Sequence, residues 1–244
     1  MIAKFGPEGR LKAVAANHGG LRVWVPPQET HRYVIGSDSA EGVSGGDYSV
    51  ATVLEVDSCE QVAEYRGHYE PHEWGAICCM LAHLYNRALL AFETGCSAHG
   101  LAAAKYARLW GYPNLYLQTA INTTDRRRTK KLGWATTEKT KPLLTEKIRT
   151  AIQEKCTIRS EALIAELLTA YFDESGKIKY RGHDDCAMSY GIALYVRDDA
   201  LSQGMSRVTE RKPRTQTEKM WADWEAETTG RRSHEKRQRL HDGN

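Results

Sequence analysis

Three groups of acidic residues stand at places in this sequence where a charge is unusual. Asp38 and Glu93 each end a short apolar run and are followed by glycine within a few residues, whereas Asp184 and Asp185 open an apolar stretch with helical spacing. A buried strand excludes ionised groups unless they are paired or bind a metal. Because carboxylate oxygens are the usual ligands of hard divalent cations, the three groups together predict a site for Mg2+ or Mn2+. The alternative is that they are unrelated surface acids beside turns.

Three residues close to these groups each allow two interpretations. Asp47 is either a further acidic ligand or a turn residue. Asp185 is either a ligand or an acid that the dipole favours in the first turn of a helix. His183 either contacts a phosphate or a water, or orders the chain beside the acids, and we expect the ordering role.

Hydrophobic periodicity predicts the elements that must position these residues. Strands are expected over 33–38, 48–56, 59–69, 89–93 and 115–117, with an edge strand over 21–25, and helices over 71–87, 97–109, 141–154, 160–170 and 183–197. Three meandering strands followed by alternating helices and strands form the order of the ribonuclease H-like fold, an α/β fold with a central mixed sheet of five or slightly more strands flanked by helices. There the first strand lies between the second and the fourth, so Asp38 and Glu93 end adjacent parallel strands.

Length and composition allow one domain with an appendage. The 244 residues are 41% hydrophobic, which suffices for one core. We expect a lead-in segment over 1–32, an α/β domain over 33–200 and a basic, mobile extension over 201–244. From Arg207 to the end there are ten Lys/Arg against seven Asp/Glu, so this tail carries the net charge of +3. No apolar run approaches the ~20 residues of a membrane span and no signal-peptide core is present, so a soluble, cytoplasmic protein is expected.

A basic cluster lies between the second and third acidic groups. Its members are Arg126, Arg127, Arg128, Lys130 and Lys131, which place five cations in six positions. A run of like charge is typical of a solvated loop, whereas phosphate contacts to nucleic acid come from such clusters. Beside an acidic metal site, we expect this loop to follow a DNA backbone.

The acidic motifs form an ordered set with their neighbours. It consists of Asp38-x-Ala-Glu-Gly, Gly46-Asp47-Tyr48-Ser49, Phe92-Glu93, Gly133-Trp134-Ala135-Thr136 and His183-Asp184-Asp185. The set extends over residues 20–200, roughly, and closely resembles the nuclease domain of the large terminase subunit of tailed bacteriophages. Any one of these motifs is weak, whereas their order along the chain is specific.

The resemblance implies a metal-dependent endonuclease that cuts concatemeric viral DNA during genome packaging in the cytoplasm of an infected bacterial host. It implies two Mg2+ or Mn2+ ions with Asp38, Glu93 and Asp184 as ligands, and with Asp185 and Asp47 as auxiliary acids. The implied partners are double-stranded DNA, a separate terminase ATPase domain, the small terminase subunit and the capsid portal. No GxxxxGK[ST] phosphate loop occurs in the sequence, so we do not expect this chain to hydrolyse ATP.

Two other functions fit the same residues. A structure-selective junction resolvase of the same fold would prefer branched DNA and act as a dimer. A non-catalytic DNA-binding or docking module would keep the fold for assembly alone. No stretch resembles a base-reading helix, so a nuclease of this kind is expected to show little sequence preference.

Overall fold

The structure is a computed structural model that describes residues 2–5, 11–14, 19–40, 47–95, 98–121 and 128–202. The described elements follow one another along the chain as β1 (Ile2–Phe5), β2 (Leu11–Val14), β3 (Leu21–Val23), β4 (Tyr33–Asp38), β5 (Ser49–Glu55), β6 (Gln61–Gly67), α1 (Pro71–Leu84), β7 (Leu89–Phe92), α2 (Ala98–Leu109), β8 (Leu117–Ile121), β9 (Arg128–Leu132), α3 (Lys141–Gln153), α4 (Glu161–Leu167), β10 (Tyr171–Phe172), β11 (Ile178–Lys179) and α5 (Asp185–Ser202).

The central sheet has five strands in the order β3-β6-β5-β4-β7. Strand β4 runs antiparallel to β5, with Asp38 opposite Val50, and parallel to β7, with Ser37 opposite Phe92. The predicted ribonuclease H-like arrangement is therefore confirmed. The fifth strand is β3, which lies in the segment expected to be a lead-in and pairs antiparallel with β6 at one edge.

Both faces of the sheet are covered, and this explains the apolar character of its central strands. Every residue of β5 is buried. Along β4 successive side chains point to opposite faces, so Val34 joins the core formed with α3, α4 and α5, and Ile35 joins the core formed with α1 and α2. An acid fits in such a strand only at the end of the sheet, where the helices no longer cover it. Asp38 is the last residue of β4 and lies at this end.

Helix α5 lies directly on β4. A Cβ atom at Gly36 would stand 2.2 Å from the carbonyl oxygen of Ser189 and 2.4 Å from the amide nitrogen of Ala193, so only glycine permits this approach. The Ser189 hydroxyl donates to the Gly36 carbonyl at 2.9 Å and accepts from the Thr52 amide at 3.0 Å. The helix that begins with Asp185 is thus attached through main-chain contacts to the strand that ends with Asp38.

The expected strand over 115–117 is largely absent from the central sheet. Leu115 forms one isolated parallel bridge with Leu90, after which the chain leaves the sheet and β8 pairs antiparallel with β9. The chain returns to the edge of β7 at Trp134, which bridges Glu93. Two short segments therefore share the place beside β7 that one continuous strand was expected to take.

The basic cluster lies partly on a strand, where a loop was expected. Arg128, Lys130 and Lys131 belong to β9 and are exposed, whereas Arg126 and Arg127 lie outside the described residues. Backbone hydrogen bonds can hold such a polar ribbon without an apolar face, so the lack of alternation in the sequence concealed it. The division at residues 32 and 200 stays a prediction, as does the tail, since residues 203–244 are outside the described part.

No helix among the described residues is long and apolar enough to cross a membrane.

Candidate metal centre

Asp38, the last residue of β4, is at the centre of a group of four carboxylates. The amide of Ser39 donates to Asp38 Oδ1 at 2.9 Å. Burial raises the pKa of the Asp38 carboxyl well above its usual range, and the nearby charges of Glu93, Asp185 and Asp184 raise it further, in that order. Neighbouring like charges raise the pKa of a carboxyl because they disfavour its charged form. The structure therefore places acids from all three predicted groups near one another.

Glu93 is held at the end of β7 by main-chain donors. Its carboxylate Oε1 accepts from the amides of Gly95 at 2.8 Å and Thr136 at 3.3 Å, and the side chain is only 3% exposed. A Cβ atom at Gly95 would stand 2.2 Å from the Thr136 carbonyl oxygen, so the glycine after the acid is required by the close approach of the chain that follows β9. One glutamate oxygen is thus fixed by the fold itself.

Asp184 and Asp185 are separated in environment although they are adjacent in sequence. Asp184 precedes α5, where its carbonyl accepts from the Met188 amide at 2.8 Å, and Lys141 Nζ lies 2.6 Å from its carboxylate Oδ2. Asp185 is buried and accepts from the Tyr48 amide at 2.9 Å. Burial is also the main cause that raises the pKa of Asp185. The ammonium group of Lys141 therefore lies within the acidic centre itself.

The first turn of α5 is secured by an acid from a neighbouring helix. Glu166 on α4 accepts from the amides of Cys186 at 3.2 Å and Ala187 at 2.8 Å. These amides have no partner within the helix, because the first donors of any helix lack one. Burial raises the pKa of Glu166, against the lowering effect of these bonds. The sequence did not reveal this contact, since nothing distinguishes Glu166 from other acids on exposed helices.

Asp47 and His183 form a second group around Asp185. Asp47 Oδ1 lies 2.6 Å from His183 Nδ1, and the ligand atoms of Asp47, His183 and Asp185 all lie within 4.8 Å of one another. The hydrogen bond to Asp47 and the charge of Asp185 raise the pKa of His183. This histidine was expected to order the chain, and its bond to Asp47 is such a contact, but Asp47, His183 and Asp185 are also a group that could hold a metal ion. The sequence feature that could have indicated this role is the position of His183 directly before the two aspartates.

The chain that follows the cationic strand β9 returns to the central sheet next to Glu93. Beyond Leu132 the chain returns to the sheet, where the Trp134 amide donates to the Phe92 carbonyl at 2.7 Å and the Thr94 amide donates to the Trp134 carbonyl at 2.8 Å. Trp134 is fully buried against Tyr195, with ring centroids 4.2 Å apart. The strand that carries Arg128, Lys130 and Lys131 is thereby anchored beside Glu93.

The fold is shared with nucleases of bacteriophages. The large terminase nuclease from thermophilic phage G20c with bound magnesium is 20% identical, with a TM-score of 0.58 over 74% of this chain and 89% of that chain. The same nuclease with bound cobalt gives a TM-score of 0.57 at the same identity and coverage. The Thermus phage P74-26 large terminase nuclease domain is 21% identical, with a TM-score of 0.51 over 73% of this chain and 86% of that chain.

No family profile and no curated protein matches the sequence. The likeness to the solved structures covers about three quarters of this chain. The ordered motifs in the sequence predicted this relationship, and the structural likeness confirms it at the level of the fold. The chain therefore has the fold of the nuclease domains of phage large terminase subunits.

Proposed function

We propose that this chain is a divalent-metal-dependent DNA endonuclease of the terminase type. The observation that carries the proposal is the convergence of Asp38, Glu93, Asp184 and Asp185 from two adjacent strand ends and one helix start. A protein gains no stability from four neighbouring carboxylates, because the charges repel one another and each loses solvation. Such a group is explained if a cation is bound there.

The donor set fits Mg2+ or Mn2+. It consists of oxygen ligands, which hard cations prefer, and a nuclease of the same fold has been solved with bound magnesium. Asp38, Glu93 and Asp184 would hold the ions, two in number in the mechanism we favour, with Asp185 and Asp47 completing the site. Bound there, a pair of such ions supplies a nucleophilic water and neutralises charge on the leaving oxygen of a phosphodiester.

Residues of the chain position the carboxylates and supply a positive charge beside them. The amides of Gly95 and Thr136 fix one oxygen of Glu93, and the Tyr48 amide fixes one oxygen of Asp185, so both carboxylates are held in place before any ligand arrives. Lys141 places a positive charge beside Asp184. A phosphate that approaches the centre thus meets one ammonium group as well as the carboxylates, and this reduces its repulsion.

The substrate we propose is double-stranded DNA. The exposed cations Arg128, Lys130 and Lys131 on β9 support this substrate, since phosphate contacts carry most of the sequence-independent affinity for DNA. Arg126 and Arg127 extend the same basic cluster in sequence. The biological role that follows is the cutting of concatemeric viral DNA in the cytoplasm of an infected bacterium, in concert with a terminase ATPase domain, the small terminase subunit and the capsid portal.

Incubation of the protein with supercoiled plasmid in Mg2+ or Mn2+ tests the proposal. We expect linearisation followed by general degradation, and neither product in EDTA or with the Asp38→Asn variant. Cleavage confined to synthetic four-way junctions would indicate a junction resolvase instead. DNA binding without any cleavage in either metal would indicate a non-catalytic module and would overturn the enzymatic assignment.

A further inference from the structure

The hairpin formed by β10 and β11 presents a row of cations that the proposed site does not use. Lys177, Lys179 and Arg181 are exposed, whereas Ile178 and Tyr180, which alternate with them, are half-buried. Side chains two apart in an extended chain point to the same face. The three cations therefore share one outer face, while Tyr180 packs inward against the core beside α5.

Local contacts hold this face in shape. Asp173 in the turn accepts from the Ser175 amide at 2.9 Å, the Ser175 hydroxyl at 2.7 Å and the Lys177 amide at 2.9 Å. The Arg181 guanidinium lies 5.5 Å from the centre of the Tyr171 ring, across the hairpin. The acid of the turn is thus occupied by main-chain and hydroxyl donors, and the cationic face is preformed.

The cations of this face are available to a ligand. Within the described ranges no ion pair holds Lys177, Lys179 or Arg181. Tyr171, which pairs with Lys179 across the hairpin and so lies on the same face as the cations, is 42% exposed. Cations interleaved with exposed aromatic rings are the composition of surfaces that bind nucleic acid, where the cations contact phosphates and the rings stack on bases or sugars. An ordinary solvated strand face could carry the same charges. The position of the hairpin relative to the metal centre therefore distinguishes the two interpretations.

The hairpin runs directly into the metal centre. Asp184 follows Lys179 by five residues, which an extended chain spans in roughly 17 Å. The segment it joins lies beside the start of β5, where His183 contacts Asp47 and Asp185 accepts from the Tyr48 amide. The basic strand β9, by contrast, leads to Trp134 beside β7. Since β5 and β7 are the two neighbours of β4, the two cationic hairpins leave the centre from opposite flanks of the strand that ends in Asp38.

We propose that Lys177, Lys179 and Arg181 contact the phosphate backbone of the DNA that is bound at the metal centre, on the flank opposite β9. This inference rests on the proposed nuclease function and adds a DNA-contacting surface to it. A duplex in contact with both hairpins has its scissile phosphate between them, over the four carboxylates. The hairpin makes its contacts without reading bases, in agreement with a sequence in which no stretch resembles a base-reading helix.

A salt titration of DNA binding tests this surface. The variant is Lys177→Ala/Lys179→Ala, and the charge-matched control is Lys105→Ala/Arg108→Ala, whose side chains are exposed on α2 on the other side of the sheet. Binding of a short duplex is measured at several KCl concentrations with Ca2+ in place of Mg2+. We expect the slope of log K against log salt to fall by about 1.8 for two lost contacts, at about 0.9 per contact, and the control to keep the slope of the unmodified protein.

Cleavage measurements separate this inference from the function on which it rests. With both lysines replaced, KM for plasmid should rise while kcat at saturating DNA is retained, because the hairpin supplies no metal ligand. An unchanged salt slope in a variant that melts like the unmodified protein would overturn the hairpin contact and leave the nuclease intact. A protein that neither binds nor cuts DNA in any metal would overturn both.

Discussion

The two ends of the β4–β5 ladder each contain an acid, buried in the case of Glu55 and half-buried in the case of Asp38, and the two acids have opposite kinds of neighbour. At one end Glu55, opposite Tyr33, accepts from the amides of Asp57 at 3.2 Å and Ser58 at 2.5 Å. At the other end Asp38 is surrounded by three further carboxylates. Burial alone therefore does not distinguish an acid that supports the fold from one that binds a ligand. The identity of the neighbours does, because hydrogen-bond donors stabilise a carboxylate and other carboxylates destabilise it.

The largest expected effect is at Asp38. Replacement Asp38→Ala should reduce plasmid cleavage in Mg2+ or Mn2+ by about 10³-fold or more, since a metal centre supplies several kcal/mol of transition-state stabilisation. The fold should remain, and the free energy of unfolding without metal should stay the same or rise, because a repulsive charge is removed. Cleavage rates and chemical denaturation measure the two quantities. Cleavage at the unmodified rate would show that the catalytic centre lies elsewhere.

Replacement of Glu55 should give the opposite result. Glu55→Ala removes the acceptor of two amides in the turn after β5, so the free energy of unfolding should fall by about 1–3 kcal/mol. The rate of cleavage at saturating DNA should not change at a temperature where the variant is folded. Denaturant titration and plasmid cleavage, carried out in parallel with Asp38→Ala, measure both. If Glu55→Ala unfolded with the same free energy as the unmodified protein, Glu55 would not be an acid that supports the fold.

Metal binding should stabilise the folded protein, and this gain should depend on Asp38 and not on Glu55. Saturating Mn2+ should raise the free energy of unfolding by roughly 1–3 kcal/mol, as RT ln(1 + [L]/Kd) requires for a ligand of the folded state. The gain should persist in Glu55→Ala and be lost or reduced in Asp38→Ala. Thermal unfolding with and without Mn2+ gives the comparison. A melting temperature indifferent to millimolar Mn2+ in the unmodified protein argues directly against a metal centre.

The smallest expected effect is a dependence of stability on pH without metal. The pKa of Asp38 is raised in the folded state, so the folded protein holds this proton more firmly than the unfolded chain does. Its contribution to stability is complete below the unfolded pKa of about 3.9 and is lost as the pH rises through the folded value. The unmodified protein in EDTA should therefore lose stability relative to Asp38→Asn as the pH rises from about 4. Equal profiles would show that the pKa of Asp38 is not raised in the folded protein.

The sequence predicted the acidic centre because its constraints are local and strong. A buried strand that ends in an acid, as at Asp38 and Glu93, leaves few structural explanations, and the order of elements then determines that the two strands are neighbours. The helix start at Asp185 was likewise marked by the apolar stretch that follows it.

The two flanking hairpins could not be predicted in the same way. Strand β9 is highly charged and β11 is only two residues long, so neither shows the alternation that marks a half-buried strand. Their structure comes from main-chain pairing, which leaves little trace in side-chain types. The contacts of Lys141 and Glu166 with the centre were equally invisible, since each depends on how one helix is oriented relative to another.

The close approach at Gly36 has a consequence for how this centre can be controlled. Because α5 touches β4 through main-chain atoms, the separation between Asp38 and the aspartates at the start of α5 is fixed by the thickness of two backbones. Repacking of larger side chains cannot widen this gap. The centre is therefore always assembled in the folded protein. Any restraint on premature cutting has to act on access, through what covers the carboxylates or what presents the DNA to them.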